Sequence, residues 1–214
     1  MSEELMSHNQ SHAPLLRVWP ILARMRPIEG WLEDEEADLL IAAAAHALTA
    51  LPAPRRIVEV GSYCGRSTVV LGSVARVHDP QASIYAIDPH EGQVGACDQG
   101  IQQGSPTLAR FKANIAAAGL TDLIEIIQQR STEVDWHDPI SLLFIDGLHD
   151  YENVARDFLQ FERWLVSAGL VAFHDYAAYY PGVQALVDET LGTGRYRKAE
   201  QAGSMIVLEK AHVG

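Results

Sequence analysis

Disulfide chemistry is the first thing this chain lacks. Two cysteines, Cys64 and Cys97, stand among 214 residues, too few for a disulfide framework and in keeping with a reducing compartment. Positive charge is scarce as well, since 16 lysines and arginines against 28 aspartates and glutamates leave a net charge of −12. DNA or RNA would be repelled unless the cations were gathered into a stripe, and no stripe is visible. Long apolar runs are also missing. The longest uncharged apolar stretch, Leu39 to Leu51 with His46 and Thr49 inside it, falls short of the roughly 18 to 20 residues that cross a bilayer, and Met1 to Arg17 is polar where a signal peptide would be apolar. These absences predict a cytoplasmic protein that engages neither nucleic acid nor membrane.

What the chain does have is ordinary globular material, with 48% apolar residues and a mean hydropathy of −0.02. Residues 1–14 carry no apolar periodicity and are expected to be a mobile segment ahead of one domain spanning 15–214. The acidic run Glu33 to Glu36 followed by alanines predicts a helix from Trp31 to Leu48, closed by Pro52 and Pro54. Beyond it come short β-prone runs at 57–60, 84–87, 124–127, 142–145 and 170–173. Helical spacings at 68–77, 107–118 and 151–166 alternate with them. Strands alternating with helices predict a parallel sheet covered on both faces. The tail from Arg195 through Glu209 reads as closing strands of that sheet. Residues 89–106, with four glycines, break the rhythm and read as a long loop, a candidate lid at the carboxyl edge where open α/β sheets bind ligands.

Four strand ends concentrate chemistry. After the first strand, Glu59, Gly61, Ser62 and Gly65 form an E-x-G-x-x-x-G turn into a helix. Tyr63 and Arg66 occupy positions where a G-x-G-x-x-G dinucleotide fingerprint needs glycine, which argues against an oxidoreductase. An acid ahead of the turn suits a ligand with a cationic amine better than a pyrophosphate. Asp88 closes the second strand, where a carboxylate can accept both ribose hydroxyls of a nucleoside. Asp146 and His149 follow the fourth strand, His174 and Asp175 the fifth. Converging on one edge, they offer a metal site or an acid/base set. Asp150 reads as a helix N-cap, and Tyr176, Tyr179 and Tyr180 as a cluster on which a sugar ring could stack. Trp31 reads equally as an entry segment closing over a ligand and as a helix-start anchor. Cys64 and Cys97 read as free thiols, and Trp19, Trp136 and Trp164 as packing residues.

Together, E-V-G-S-Y-C-G-R-S-T at 59–68, I-D-P at 87–89, F-I-D-G-L-H-D-Y-E-N-V at 144–154 and G-L-V-A-F-H-D at 169–175 resemble the class I S-adenosylmethionine-dependent methyltransferases, from Ile28 to about Leu208. The D-G-x-H-x-Y-E-x-V-x-x-D stretch from Asp146 to Asp157 is similar to the macrocin O-methyltransferase group and its sugar-methylating relatives. The resemblance implies a single-domain Rossmann-like α/β fold, a mostly parallel sheet flanked by helices. It implies that Glu59, Gly61 and Ser62 hold the methionine end of S-adenosylmethionine, Asp88 its ribose and Ser131 its adenine. It further implies a divalent metal, magnesium or manganese, on Asp146 and Asp175 with His174 beside them, and His149 as the base. The implied acceptor is a small molecule or oligosaccharide. The compact length points toward members that methylate the 1-hydroxyl of a methylated mannoside in polysaccharide biosynthesis. A homodimer is compatible with the resemblance, and no residue pattern decides it. The competing readings are metal-independent methylation of an amine or carboxylate, and a nucleoside-binding module without turnover, against which Asp146, His149 and Asp175 argue.

Overall fold

A computed structural model of the chain describes residues 15–211; the expected mobile segment, 1–14, lies outside them. Two helices come first, α1 (Val18–Met25) and α2 (Asp34–Thr49). The alternation then runs β1 (Arg56–Val60), α3 (Arg66–His78), β2 (Ser83–Ile87), β3 (Gln93–Val94), β4 (Gln102–Gln103), α4 (Leu108–Ala117), β5 (Ile124–Ile127), β6 (Ile140–Ile145), α5 (Tyr151–Phe161), β7 (Leu165–Phe173), α6 (Pro181–Gly192), β8 (Tyr196–Ala202) and β9 (Met205–Lys210). The main sheet has the order β5-β2-β1-β6-β7-β9-β8. β5, β2, β1, β6 and β7 run parallel, while β9 and β8 close the edge antiparallel. This is the Rossmann-like class I methyltransferase architecture. Among the described residues no helix is long and apolar enough to cross a membrane.

Alternation along the strands sets the two cores. Ile57, Ile84, Leu142 and Phe144 face α1 to α4 and pack with Met25, Leu40, Leu71 and Phe111. Val58, Leu143, Val171 and Phe173 face the other way, onto Phe158 and Phe161 of α5 and Val183 and Val187 of α6. Because strands buried on both faces need apolar residues throughout, a charge inside one needs special provision. Glu59, one residue on from Val58, points to the α3 side. The strand order reverses between β1 and β6, so a ligand crevice should open above Gly61 and Asp146.

Two boundaries differ from the sequence reading. The helix expected at 151–166 ends at Phe161, passes through a 3₁₀ turn at Glu162–Trp164, and gives way to β7 at Leu165. Leu165 continues the helical stripe in spacing yet pairs with Ile140. The strand then bulges before Leu170 rejoins Leu142, with Ala168 at φ 60 inside the bulge. Residues 89–106 are a loop that contains a small ribbon, β3 against β4.

Candidate active site

The turn after β1 is built on contact rather than looseness. Gly61 sits at φ +91, and a Cβ there would lie 2.0 Å from the Asp146 carbonyl oxygen. Glycine is therefore what allows the ends of β1 and β6 to meet. The Gly61 N–H donates to the Ile87 carbonyl at 2.9 Å, tying the turn to β2 as well. Tyr63, at φ 44, donates its N–H to Asp88 Oδ2 at 2.7 Å, and His90 donates its N–H to Oδ1 at 2.6 Å. Asp88 is thus fixed from both sides, with its remaining lone pairs turned to the crevice. Among the described residues, three of the four non-glycine residues with positive φ, Tyr63, His90 and Asp175, stand just beyond strand ends, where strain of this kind often accompanies function.

Glu59 departs from the sequence expectation. Its carboxyl is completely buried and accepts hydrogen bonds from Ser67 Oγ and Thr68 Oγ1 at 2.5 Å each, bracing β1 against α3 instead of lining the cavity. Burial pushes its pKa up to about 8 against the pull of those two hydroxyls, with the charges of Asp146 and Asp88 adding to the rise. The folded chain holds this proton up to about pH 8, whereas an unfolded glutamate releases it near ~4.3. The stabilisation is full below the lower value and is lost as pH climbs to the upper one. Glu59→Gln should therefore gain on the wild type by on the order of a few kcal/mol between acid and alkaline pH, as read by urea unfolding at several pH values. Parallel curves for the two proteins would overturn the assignment. Ser62, the other turn residue, is buried with its hydroxyl unpartnered, in a small recess between Gly61 and Asp146.

The crevice itself encloses about 590 Å³ along the carboxyl edge of the sheet, walled by Gly61, Asp88, Ser131, Asp146, His149 and Asp175. Ser131, after β5, donates its hydroxyl to Asp157 Oδ1. At the other end His174 is buried with both ring nitrogens engaged. Nδ1 lies 3.1 Å from Asp146 Oδ1 and 3.0 Å from Asp175 Oδ2, and Nε2 lies 3.0 Å from Glu36 Oε2. Burial alone would lower the His174 pKa, but Asp146, Asp175 and Glu36 outweigh it and raise it well above the ordinary value. Both of its ring nitrogens thus face carboxylates already in the fold. The donors that do converge are Asp146, His149 and Asp175, whose ligating atoms lie within 4.8 Å of one another. His149 Nε2 is 3.2 Å from Asp175 Oδ2, and its ring packs 4.4 Å from that of Tyr180. Tyr179 donates its hydroxyl to Asp175 Oδ1 at 3.1 Å.

Residues 89–106 lie over this crevice. Gly92, Gln93, Val94 and Gly95 face it. The segment is held by His149 N–H on the Gly95 carbonyl at 3.0 Å, by Cys97 N–H on Asp150 Oδ2 at 3.0 Å, and by Gln99 Nε2 on the Tyr179 carbonyl at 2.8 Å. Asp150 also caps α5 by accepting from Asn153 N–H, as its position predicts.

Residues 58–176, more than half of the chain, match the family described as "Methyltransferase domain". The chain belongs to that methyltransferase family. Solved structures similar to this methyltransferase include the O-methyltransferase NovP, at TM-score 0.72 and 14% identity over 84% of this chain and 81% of that one. CalS11, described as a TDP-rhamnose 3'-O-methyltransferase of calicheamicin biosynthesis, aligns at TM-score 0.60 and 16% identity over 90% and 92%. TomG from Streptomyces achromogenes, solved with SAM, aligns at TM-score 0.60 and 14% identity over 91% and 89%. These likenesses show the shared fold. Uncharacterized protein y4gI of Sinorhizobium fredii is 26% identical over 154 residues, which are 70% of this chain and 15% of that protein. The methyltransferase chain thus spans a small part of the length of this curated relative.

One residue of the methyltransferase site escaped the sequence reading. Glu36, in the first turn of α2, accepts from His174 through Oε2 and from the Ser204 N–H and hydroxyl through Oε1, at 2.9 and 2.6 Å. Burial works against its charge, yet His174, Ser204 and the Glu33 N–H pull its pKa down to about 2. Its sequence signal, one acid among four at a helix start, is indistinguishable from a solvated helix terminus.

Proposed function

We propose that the protein transfers a methyl group from S-adenosylmethionine to a hydroxyl of a sugar or oligosaccharide. The observation that carries this reading is one continuous crevice holding a nucleoside-type end, Gly61 with Asp88, and a proton-accepting end, His149 with Asp175. The cofactor fits the chain's own features. Gly61 lines the crevice without a side chain, Ser62 has a hydroxyl in want of a partner, and the acidic wall suits a ligand with a sulfonium and an ammonium. The sugar reading draws on Tyr179 and Tyr180 at the mouth and on the acceptor named for CalS11. The methylated mannoside suggested by the sequence belongs among the acceptors to assay.

The sulfonium methyl is already electrophilic, so the residues have two tasks: to align the acceptor oxygen with it and to remove the hydroxyl proton. Asp175 orients His149 as a base in the way a carboxylate orients an imidazole in other proton-transfer pairs. The carboxylates of Glu36, Asp146 and Asp175 beside the His174 imidazolium leave two negative charges, the complement of one divalent ion. Magnesium or manganese held by the carboxylates of Asp146 and Asp175, beside His149, would supply a Lewis acid that makes the hydroxyl more acidic. Asp146 and Asp175 are the two aspartates expected from the sequence, and His149 is the third group that converges on them. The test joins calorimetry with S-adenosylhomocysteine to a turnover assay on candidate sugars. Binding should be measurable in the micromolar range or tighter, and turnover should stop on chelation and return with magnesium or manganese. Absence of binding sinks the cofactor. Full turnover in enzyme verified metal-free sinks the ion and leaves His149 as a base working with Asp175 alone.

A further inference from the structure

Trp31 has no part in the scheme above. A helix-start anchor would bury its ring, whereas Trp31 stands ahead of α2 on the wall of the crevice and is 59% exposed. A stack built outward from the turn after β1 holds it. Its ring centroid lies 5.2 Å from that of Tyr63, and the Tyr63 hydroxyl donates to Glu29 Oε1 at 2.7 Å. The Arg110 guanidinium sits 5.6 Å from the Tyr63 ring centroid and pairs with Glu29. Among the described residues, the one other exposed aromatic on the crevice wall is Tyr179, at 55%. It is braced in a similar manner, through its hydroxyl on Asp175 Oδ1 and through Tyr180, whose ring lies 5.1 Å from its own and 4.4 Å from that of His149. Two wetted aromatic rings are thus each fixed from behind, at the end of the crevice where the proton acceptor stands.

The sheet order says how the two rings are spaced. Tyr63, behind Trp31, follows β1, and Asp175, behind Tyr179, follows β7, with β6 and Asp146 between them. Two strand spacings amount to roughly 10 Å. A six-membered ring in contact with an aromatic side chain on each face needs roughly 7 to 8 Å. A pyranose also suits the gap in polarity. Its C–H faces meet the two aromatics, while its hydroxyls, at the rim, are free to reach His149 and Asp175. An open-chain polyol carries the same hydroxyls but no preformed C–H face, and it must lose torsional freedom to make one.

We infer that Trp31 and Tyr179 clamp the acceptor ring between them and make the enzyme selective for a pyranose over an open-chain polyol. This rests on the sugar reading of the crevice and assigns the residues that choose the acceptor's shape. The test uses protein loaded with S-adenosylhomocysteine and a matched pair of probes, D-mannose and D-mannitol, titrated by saturation-transfer NMR, with calorimetry for S-adenosylhomocysteine itself. The wild type should bind mannose about 10-fold more tightly than mannitol, the size expected of one aromatic contact. Trp31→Ala should bring the two probes to within a few-fold of each other while S-adenosylhomocysteine affinity stays within a few-fold of wild type. Trp31→Phe should restore most of the preference. Tyr179→Phe, which keeps the ring and drops the hydroxyl, should retain it. A preference that survives Trp31→Ala overturns the clamp. So does a Trp31→Ala protein that loses S-adenosylhomocysteine as fully as mannose, since Trp31 would then cover the cofactor. A wild type that binds S-adenosylhomocysteine yet does not prefer mannose overturns the clamp and leaves the methyl-donor reading intact. A wild type that binds none of the three overturns both.

Discussion

Gly61→Ala is expected to unfold the corner of the sheet and the cofactor site together. The added methyl must occupy space 2.0 Å from the Asp146 carbonyl oxygen and 2.7 Å from the Gly147 nitrogen, both backbone atoms that cannot turn aside. The residue must also hold φ +91, a conformation that costs L-residues of order 1 kcal/mol or more. With β1 and β6 forced apart at their ends, a loss of about 3 kcal/mol is expected, or a melting temperature roughly 6 to 12 °C lower for a chain of this size. Affinity for S-adenosylhomocysteine should fall by on the order of 100-fold or more, because the crevice floor is the same backbone. Differential scanning fluorimetry and calorimetry check the two effects. A variant with native melting and native affinity would mean that β1 and β6 do not meet as described. The sequence expectation was that a glycine here serves ligand approach; the contact with β6 adds a structural demand at the same atom.

His149→Ala should leave the fold and cofactor binding close to wild type and cut kcat by about 10² to 10⁴, the usual contribution of a positioned proton acceptor. His149 is partly exposed and its side chain contributes to no core cluster, so little packing is lost. Its ring contacts Tyr180 and Asp175, both at the acceptor end. The loss should shrink at high pH, where the acceptor hydroxyl needs less help to ionise. Single-turnover rates across pH read this directly. A variant that turns over at the wild-type rate would remove His149 from the chemistry.

Much of the scaffold was legible in the sequence because buried parallel strands are written as contiguous apolar runs. Ile84–Ile87 and Leu142–Leu143–Phe144–Ile145 are examples. The strand-end positions of Asp88, Asp146, His149 and Asp175 followed from those runs, and the crevice brings all four together. What failed to show depends on contacts distant in sequence. Glu59 sits in the right motif, but its direction is set by strand parity and by Ser67 and Thr68 of the next helix. Glu36 meets His174 and Ser204 across 138 and 168 positions, distances over which local pattern carries no information. Helix α6 was not among the expected elements, although Pro181 stands at its start and Val183, Leu186 and Val187 recur at helical spacing.

The bonds of Glu36 also bear on what the smallest working piece of this protein is. The stretch shared with the family, 58–176, includes Gly61, Asp88, His149 and Asp175, yet it stops short of Ser204, one of the two residues that hold Glu36 in place, and omits Glu36 itself. Cut to that span, the chain would keep His174 and lose one of its three carboxylates, together with the α2 residues that share a core with Phe144. The crevice floor is therefore closed by α2 and the β8–β9 turn together, joined side chain to side chain through Glu36 and Ser204.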